Sequence, residues 1–152
     1  MKHTFLFDEN ILYFAAKVVD PHDRPDVTCA ELLKLIADNC HTVTTTPKLN
    51  HHYRRHLIGL QQARLKDTEP LRFLLGLMKN ADKFHVEEQD PPLLPTGVQV
   101  PRKDVHIVRA ALLSGALIVT GDTKLRDSVN AEPSLGLRAL SPMEALELAG
   151  DQ

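Results

Sequence analysis

The sequence predicts an α/β domain of three layers, α/β/α, built on a parallel sheet of four or five strands. Three observations predict it. Short apolar or β-branched runs at 3–7 ("HTFLF"), 42–46 ("TVTTT") and 116–120 ("ALIVT") have the length and composition of buried strands. Segments of helical period separate them. Strands that alternate with helices pair in parallel through right-handed crossovers, which covers both faces of the sheet.

Taken in order, the first strand spans 3–7, and Asn10 is placed to cap a short helix running to about Lys17. A loop, "DPHDRPD", is marked by Pro21 and Pro25. Thr28 with Glu31 fits a capping box opening a helix whose Leu32, Leu33, Leu35 and Ile36 form one apolar face, ending near Asn39. After the second strand, Thr46 is an N-cap and Pro47 a first helical residue. The helix that follows buries Leu49, Tyr53, Leu57 and Leu60. Projection at about 100° per residue puts His56 inside that stripe, His52 on its flank and His51 away from it.

Residues 71–83 predict another helix, with Leu71, Leu74, Leu75 and Met78 apolar, and the four prolines of "EEQDPPLLPTGVQVP" a loop. A helix over 103–114 turns Ile107, Val108, Ala111 and Leu112 inward and stops at Gly115. The strand 116–120 follows at once. A short strand at 137–140 precedes a last helix opened by Ser141, Pro142 and Glu144 and carrying Met143, Leu146 and Leu148.

A chain of 152 residues fits a single domain, 1–152, that buries roughly 68 to 70% of its unfolded surface. With 43% hydrophobic and 25% charged residues the composition is that of a globule, which argues against a disordered chain. Cys29 and Cys40 lack CxxC spacing, so free thiols and a reducing, cytoplasmic setting are expected. The start, "MKHTFLFDEN", reaches acid before any long apolar stretch, and no run of about 18 apolar residues follows, so neither signal peptide nor membrane span is expected. The net charge of −2 gives no broad attraction to a polyanion. Local basic spots would have to meet one: Arg54 with Arg55, Arg64 with Lys66, Arg102 with Lys103, and Lys124 with Arg126.

Two strands end in acid, "FLFDEN" in Asp8 and "ALIVTGD" in Asp122. In a parallel sheet their carboxyl ends share an edge, where open α/β sheets place ligands. Asp104 opens a helix expected to start near the same edge. Singly, each has an ordinary reading: strand end, N-cap or Asx-turn. Together they would repel unless protons or a cation neutralised them, and a hard divalent metal, Mg²⁺ or Mn²⁺, does so with oxygen ligands.

"FLFDENIL", "TPKLNHHY" and "KDVHIVRAALLSGALIVTGDTKL" resemble the motif regions of PIN domains, metal-dependent ribonucleases that include VapC-like toxins. The last segment is the most specific, with an acid at a helix start, an Ala-rich helix, an apolar strand and "TGD". Residues 54–100 carry no such signal. The resemblance implies a PIN-like fold and metal-dependent hydrolysis of RNA phosphodiesters, with Asp8, Asp104 and Asp122 as catalytic and metal-binding acids. It gives Asn10, His52, Thr120 and Thr123 supporting places, and Lys103, Lys124 and Arg126 the RNA backbone. RNA, an antitoxin protein and a second copy of the chain are the implied partners. One position departs: where the second motif has Glu, six residues after the capping Thr46, this chain has His52. A PIN-like module that has lost hydrolysis and binds RNA or protein is therefore the alternative.

Two other chemistries fit less well. A phosphoaspartate enzyme would show Asp, not Asn10, two residues after Asp8, and a receiver domain would want Lys in "LRAL". His52 and His56 have helix-face spacing, and His51 and His106 add imidazoles, but without Cys or HExxH these histidines are expected as core and surface residues.

Overall fold

The computed structural model describes residues 1–60, 62 and 68–151. Of the basic spots, Arg64 and Lys66 lie outside the described residues. Five strands, β1 (Thr4–Phe7), β2 (Thr42–Thr45), β3 (Phe84–Val86), β4 (Leu117–Val119) and β5 (Ala139–Leu140), form one sheet in the order β3-β2-β1-β4-β5. Every pairing is parallel. Seven α-helices accompany them among the described residues: α1 (Glu9–Lys17), α2 (Thr28–Asp38), α3 (Pro47–Leu60), α4 (Glu69–Lys79), α5 (Val105–Ser114), α6 (Thr123–Asn130) and α7 (Pro142–Gly150).

The chain builds outward from β1 to β2 and β3, then returns to the other side of β1 for β4 and β5. Right-handed crossovers put α1 to α4 on one face and α5 with α6 on the other, and α7 packs against α2. Between β1 and β4 the direction of winding reverses. A crevice opens at such a switch point, beyond the strands' carboxyl ends.

Both faces of the sheet are covered, so its central strands are apolar without alternation. Phe5, Leu6, Phe7, Val43, Ile118 and Val119 are fully buried, with Leu32, Ile36, Leu49, Tyr53 and Ile107 packed on them from the helices. The register pairs Phe5 with Leu117, Leu6 with Ile118 and Phe7 with Val119. It carries on past the strands, since the Asp8 amide donates to the Val119 carbonyl at 2.9 Å. Asp8 thus comes level with Thr120.

Several local signals act as expected. Thr46 Oγ1 accepts from the Leu49 amide, Ser141 and Glu144 close a capping box, and Gly115 ends α5 at φ 71°. Others differ. Helix α1 begins two residues earlier than its Asn10 cap predicts, with Asp8 as N-cap residue. Thr28 and Glu31 form no capping box, because the Asp26 carboxylate, two residues upstream, takes both the amide and the hydroxyl of Thr28. His56 is exposed, with the Tyr13 ring edge-on at 6.4 Å, and Met143 is 52% exposed while Ala145 and Ala149 bury the inner face of α7. Periodicity finds the side of a helix that faces inward but not how wide a stripe its neighbours cover. Strand β3 was not expected. It has three residues, only Phe84 buried, at the sheet's edge, too little for a period to register. The proline-rich loop runs over α5, where the Arg109 guanidinium donates to the carbonyls of Pro91 and Pro92.

Candidate metal centre at the sheet's switch point

The two acid-bearing strand ends are joined through one hydroxyl. Thr120, fully buried, donates from Oγ1 to Asp8 Oδ2 at 2.7 Å and accepts the Asp122 amide at 3.0 Å. From below, the buried Tyr53 hydroxyl donates to the Phe7 carbonyl, holding the last residue of β1 before Asp8. Asp122 caps α6, its Oδ1 accepting the amides of Lys124 at 2.9 Å and Leu125 at 3.4 Å. Asp104 precedes α5 but makes no side-chain cap, which removes its ordinary reading.

Asp8, Asp104 and Asp122 line one crevice of about 300 Å³, together with Glu9, Asn10, Phe14, Pro21, Lys103 and Gly121. The three acids differ in state. Burial pushes the Asp8 carboxyl above its usual range, opposed by the Thr120 hydrogen bond and reinforced by the Glu9 charge. Asp104 is pushed up to about 6, by burial first and by Asp8 second, with Lys103 opposing. Its Oδ2 is buried without a hydrogen-bond partner. Burial also presses Asp122 upward, but the amides of Leu125 and Lys124 and the Lys103 ammonium outweigh it and hold the carboxyl low. Lys103 Nζ lies 3.5 Å from Asp122 Oδ2 at the exposed rim.

Of the residues expected to support the site, Asn10 lines the crevice and Thr120 ties it together, whereas Thr123 is exposed and meets Arg126 Nη2 at 3.4 Å. Arg126 is engaged inward, donating to the Thr120 carbonyl at 2.7 Å, and Lys124 stands exposed at the start of α6. Lys103 is the basic side chain on the crevice itself.

His52 is not among the crevice residues. Its Nδ1 lies 3.0 Å from Glu9 Oε2, and its ring stacks on His106 with centroids 5.3 Å apart. Glu9, His52 and His106 form a second cluster of potential ligands, their donor atoms within 4.8 Å of one another. His51 and His56 are exposed, as surface histidines are expected to be, whereas His52 and His106 are half-buried and stand together beside Glu9. Burial lowers the His106 pKa, against the pull of Glu9 and with His52 and Lys48 adding to it. Glu9 stands in no motif that singles it out for a site. It belongs to both clusters, and the only sign of it was an acid directly after Asp8, which strand-end solvation explains equally well.

Fold and site together define an α/β domain with an acidic crevice at the switch point of a five-stranded parallel sheet. No protein-family model matches the chain. No curated protein matches it. Among solved structures it is similar to a PilT N-terminus domain protein from the hyperthermophilic archaeon Sulfolobus solfataricus P2, at 12% identity over 98% of this chain and 95% of that one, TM-score 0.48. A second similar structure is VapBC2 from Rickettsia felis bound to a DNA fragment from their promoter, at 16% identity over 91% and 98%, TM-score 0.45. At such identities and scores neither speaks for the chemistry of this chain, which rests on its own side chains.

Proposed function

We propose that the protein is a metal-dependent endoribonuclease of PIN type, hydrolysing RNA phosphodiester bonds with Mg²⁺ or Mn²⁺ held by Asp8, Asp104 and Asp122. The observation that carries this reading is the meeting of those three carboxylates in one crevice, where one of them keeps a buried oxygen without a partner. That donor set fits the ion. It is all oxygen and rich in negative charge, and a dication would offset both the burial and, after it, the Asp8 charge that push the Asp104 carboxyl up. Bound there, such an ion lowers the pKa of a water ligand toward neutrality and offsets charge on a phosphodiester.

The chain's own residues hold the arrangement. Thr120 keeps Asp8 and the Asp122 backbone at a fixed separation, and Tyr53 keeps β1 from shifting beneath them. Lys103, at the rim, supplies the positive charge that a phosphate entering past three carboxylates needs. Arg126 supports the β4 end rather than reaching for RNA, because its guanidinium is taken by the Thr120 carbonyl. By the PIN resemblance the substrate is single-stranded RNA, the regulatory partner an antitoxin protein, and the assembly a homodimer working in the cytoplasm. Among the described residues no helix is long and apolar enough to cross a membrane.

One observation favours the alternative of a PIN-like module that binds without cutting. Position 52 supplies an imidazole directed at Glu9, not a fourth acid in the crevice. The two readings part in one assay. Purified protein and its Asp8→Asn and Asp122→Asn variants are incubated with single-stranded RNA in Mn²⁺, in Mg²⁺ and in excess chelator. Cleavage by the parent in metal, lost in chelator and in both folded variants, is the expected result. Equal cleavage in chelator removes the carboxylates from the chemistry, and RNA binding without cleavage in any metal selects the alternative.

A further inference from the structure

We infer that Glu9, His52 and His106 form a second metal site, distinct in chemistry from the aspartate crevice and suited to a borderline transition ion of the zinc type. Three helices converge to make it: Glu9 is the first residue of α1, His52 lies midway along α3, and His106 is the second residue of α5. Forty-three residues separate the first two and fifty-four the last two, so nothing local brings them together.

Two independent observations point to a ligand. The first is the donor set itself, two imidazoles and a carboxylate, each with an atom within 4.8 Å of the others. An ion with bonds of about 2.1 Å in tetrahedral geometry holds its donors roughly 3.4 Å apart, so side-chain shifts on the order of 1 Å would close the site. The second is an unmet need. His106 Nε2 is buried without a hydrogen-bond partner, although polar atoms withdrawn from water normally find one, and the buried Glu9 Oε2 beside it meets His52 Nδ1 at 3.0 Å. Stacking of the two imidazoles at an interplanar angle of 22° puts them side by side, facing the same acid. A single cation among them satisfies the orphaned His106 nitrogen and neutralises the buried Glu9 carboxylate at once.

Selectivity follows from ligand softness. Imidazole nitrogen suits zinc and its first-row neighbours, whereas Mg²⁺ keeps to oxygen, so the two sites would sort their ions. Three protein ligands leave a fourth position open, as zinc sites that bind water or substrate do. Glu9 also lines the aspartate crevice, so the ion stands against its wall. It both fastens α1, α3 and α5 together and adds positive charge beside the place proposed for a phosphate. The site does not depend on the nuclease reading, because an inactive module could hold the same ion.

The test is calorimetric titration of chelator-treated, full-length protein with Zn²⁺, repeated with Co²⁺ while visible absorption is followed. The proteins compared are the parent, His52→Ala, His106→Ala and Asp122→Asn, each shown to be folded by circular dichroism and thermal unfolding. One equivalent of Zn²⁺ is expected to bind the parent and to raise its melting temperature. Asp122→Asn should keep this binding and the intense ligand-field bands of low-coordinate Co²⁺. Each histidine variant should lose at least ten-fold in Zn²⁺ affinity together with those bands. If both histidine variants bind Zn²⁺ as the parent does, or if only Asp122→Asn loses it, the ion sits among the aspartates and the inference fails. No Zn²⁺ binding by the parent also overturns it. RNA cleavage enters none of these readouts, so failure here leaves the nuclease reading to its own assay.

Discussion

Asp104 gives the sharpest test of the acidic crevice, because the protein should become more stable when this acid is neutralised. Its side chain is 5% exposed, one oxygen has no partner, and its pKa stands at about 6 against an ordinary 3.8. A folded-state pKa above the unfolded one means that the native state binds the proton more tightly. Stability from this group is therefore full below about pH 4 and falls as pH rises through the window up to 6. Above that window the penalty is constant. About two pH units correspond to a ceiling of roughly 3 kcal/mol at about 1.4 kcal/mol per unit. Solvent reaching the crevice screens part of it, so about 1 to 2 kcal/mol is expected in practice.

For a domain of this size that amounts to about 3 to 6 °C in melting temperature. The assay is thermal unfolding of wild type and Asp104→Asn in chelator at pH 7.5 and pH 5. The variant should melt higher at pH 7.5, and its advantage should shrink to about half at pH 5, where the wild-type acid is largely protonated when folded. Added Mg²⁺ or Mn²⁺ should then reverse the order, raising the wild type far more than the variant. An Asp104→Asn protein no more stable than wild type at pH 7.5, or equally favoured at both pH values, would refute the claim that burial and the Asp8 charge make the ionised Asp104 costly.

Thr120→Val should destabilise the chelator-treated protein by roughly 1.5 to 3 kcal/mol in urea unfolding, since it leaves a buried carboxylate oxygen of Asp8 without its donor. Tyr53→Phe removes the donor to the Phe7 carbonyl beneath the site. It should cost about 1 to 2 kcal/mol in the same measurement and lower metal affinity measured by calorimetry, while a loss of stability alone would confine Tyr53 to the core. His52→Glu sets a second carboxylate where an imidazole now stands 3.0 Å from Glu9. Without metal its melting temperature should fall, and Mg²⁺ should bind roughly ten-fold more tightly than in wild type, a gain of about 1.4 kcal/mol. Unchanged or weaker Mg²⁺ affinity would show that charge at position 52 does not reach the crevice past Glu9.

Local sequence is enough for the skeleton of this protein and for two of its acids. Runs such as "FLF" and "LIV" are apolar at consecutive positions, which suits only strands covered on both faces. A parallel register then brings the residues after Phe7 and Val119 level without further instruction. Asp8 and Asp122 follow from that, as the ends of α5 and α7 follow from Gly115 and the Ser141–Glu144 box, because each depends on neighbours within a few residues. Contacts between elements are not legible in this way. His41 is one case: its Nδ1 accepts the His3 amide, and its Nε2 meets the Ala149 carbonyl at 2.9 Å, 108 residues away. Position 52 is another. Counting along the chain put His52 in the place of a crevice acid, yet the packing of α3 against α1 sets it on Glu9, while α5 brings up His106. Periodicity gives the direction in which a side chain leaves its helix. Which group it meets depends on the axial shift and rotation of the neighbouring helix, and those are set by the packing of the whole core, which no local stretch of sequence encodes.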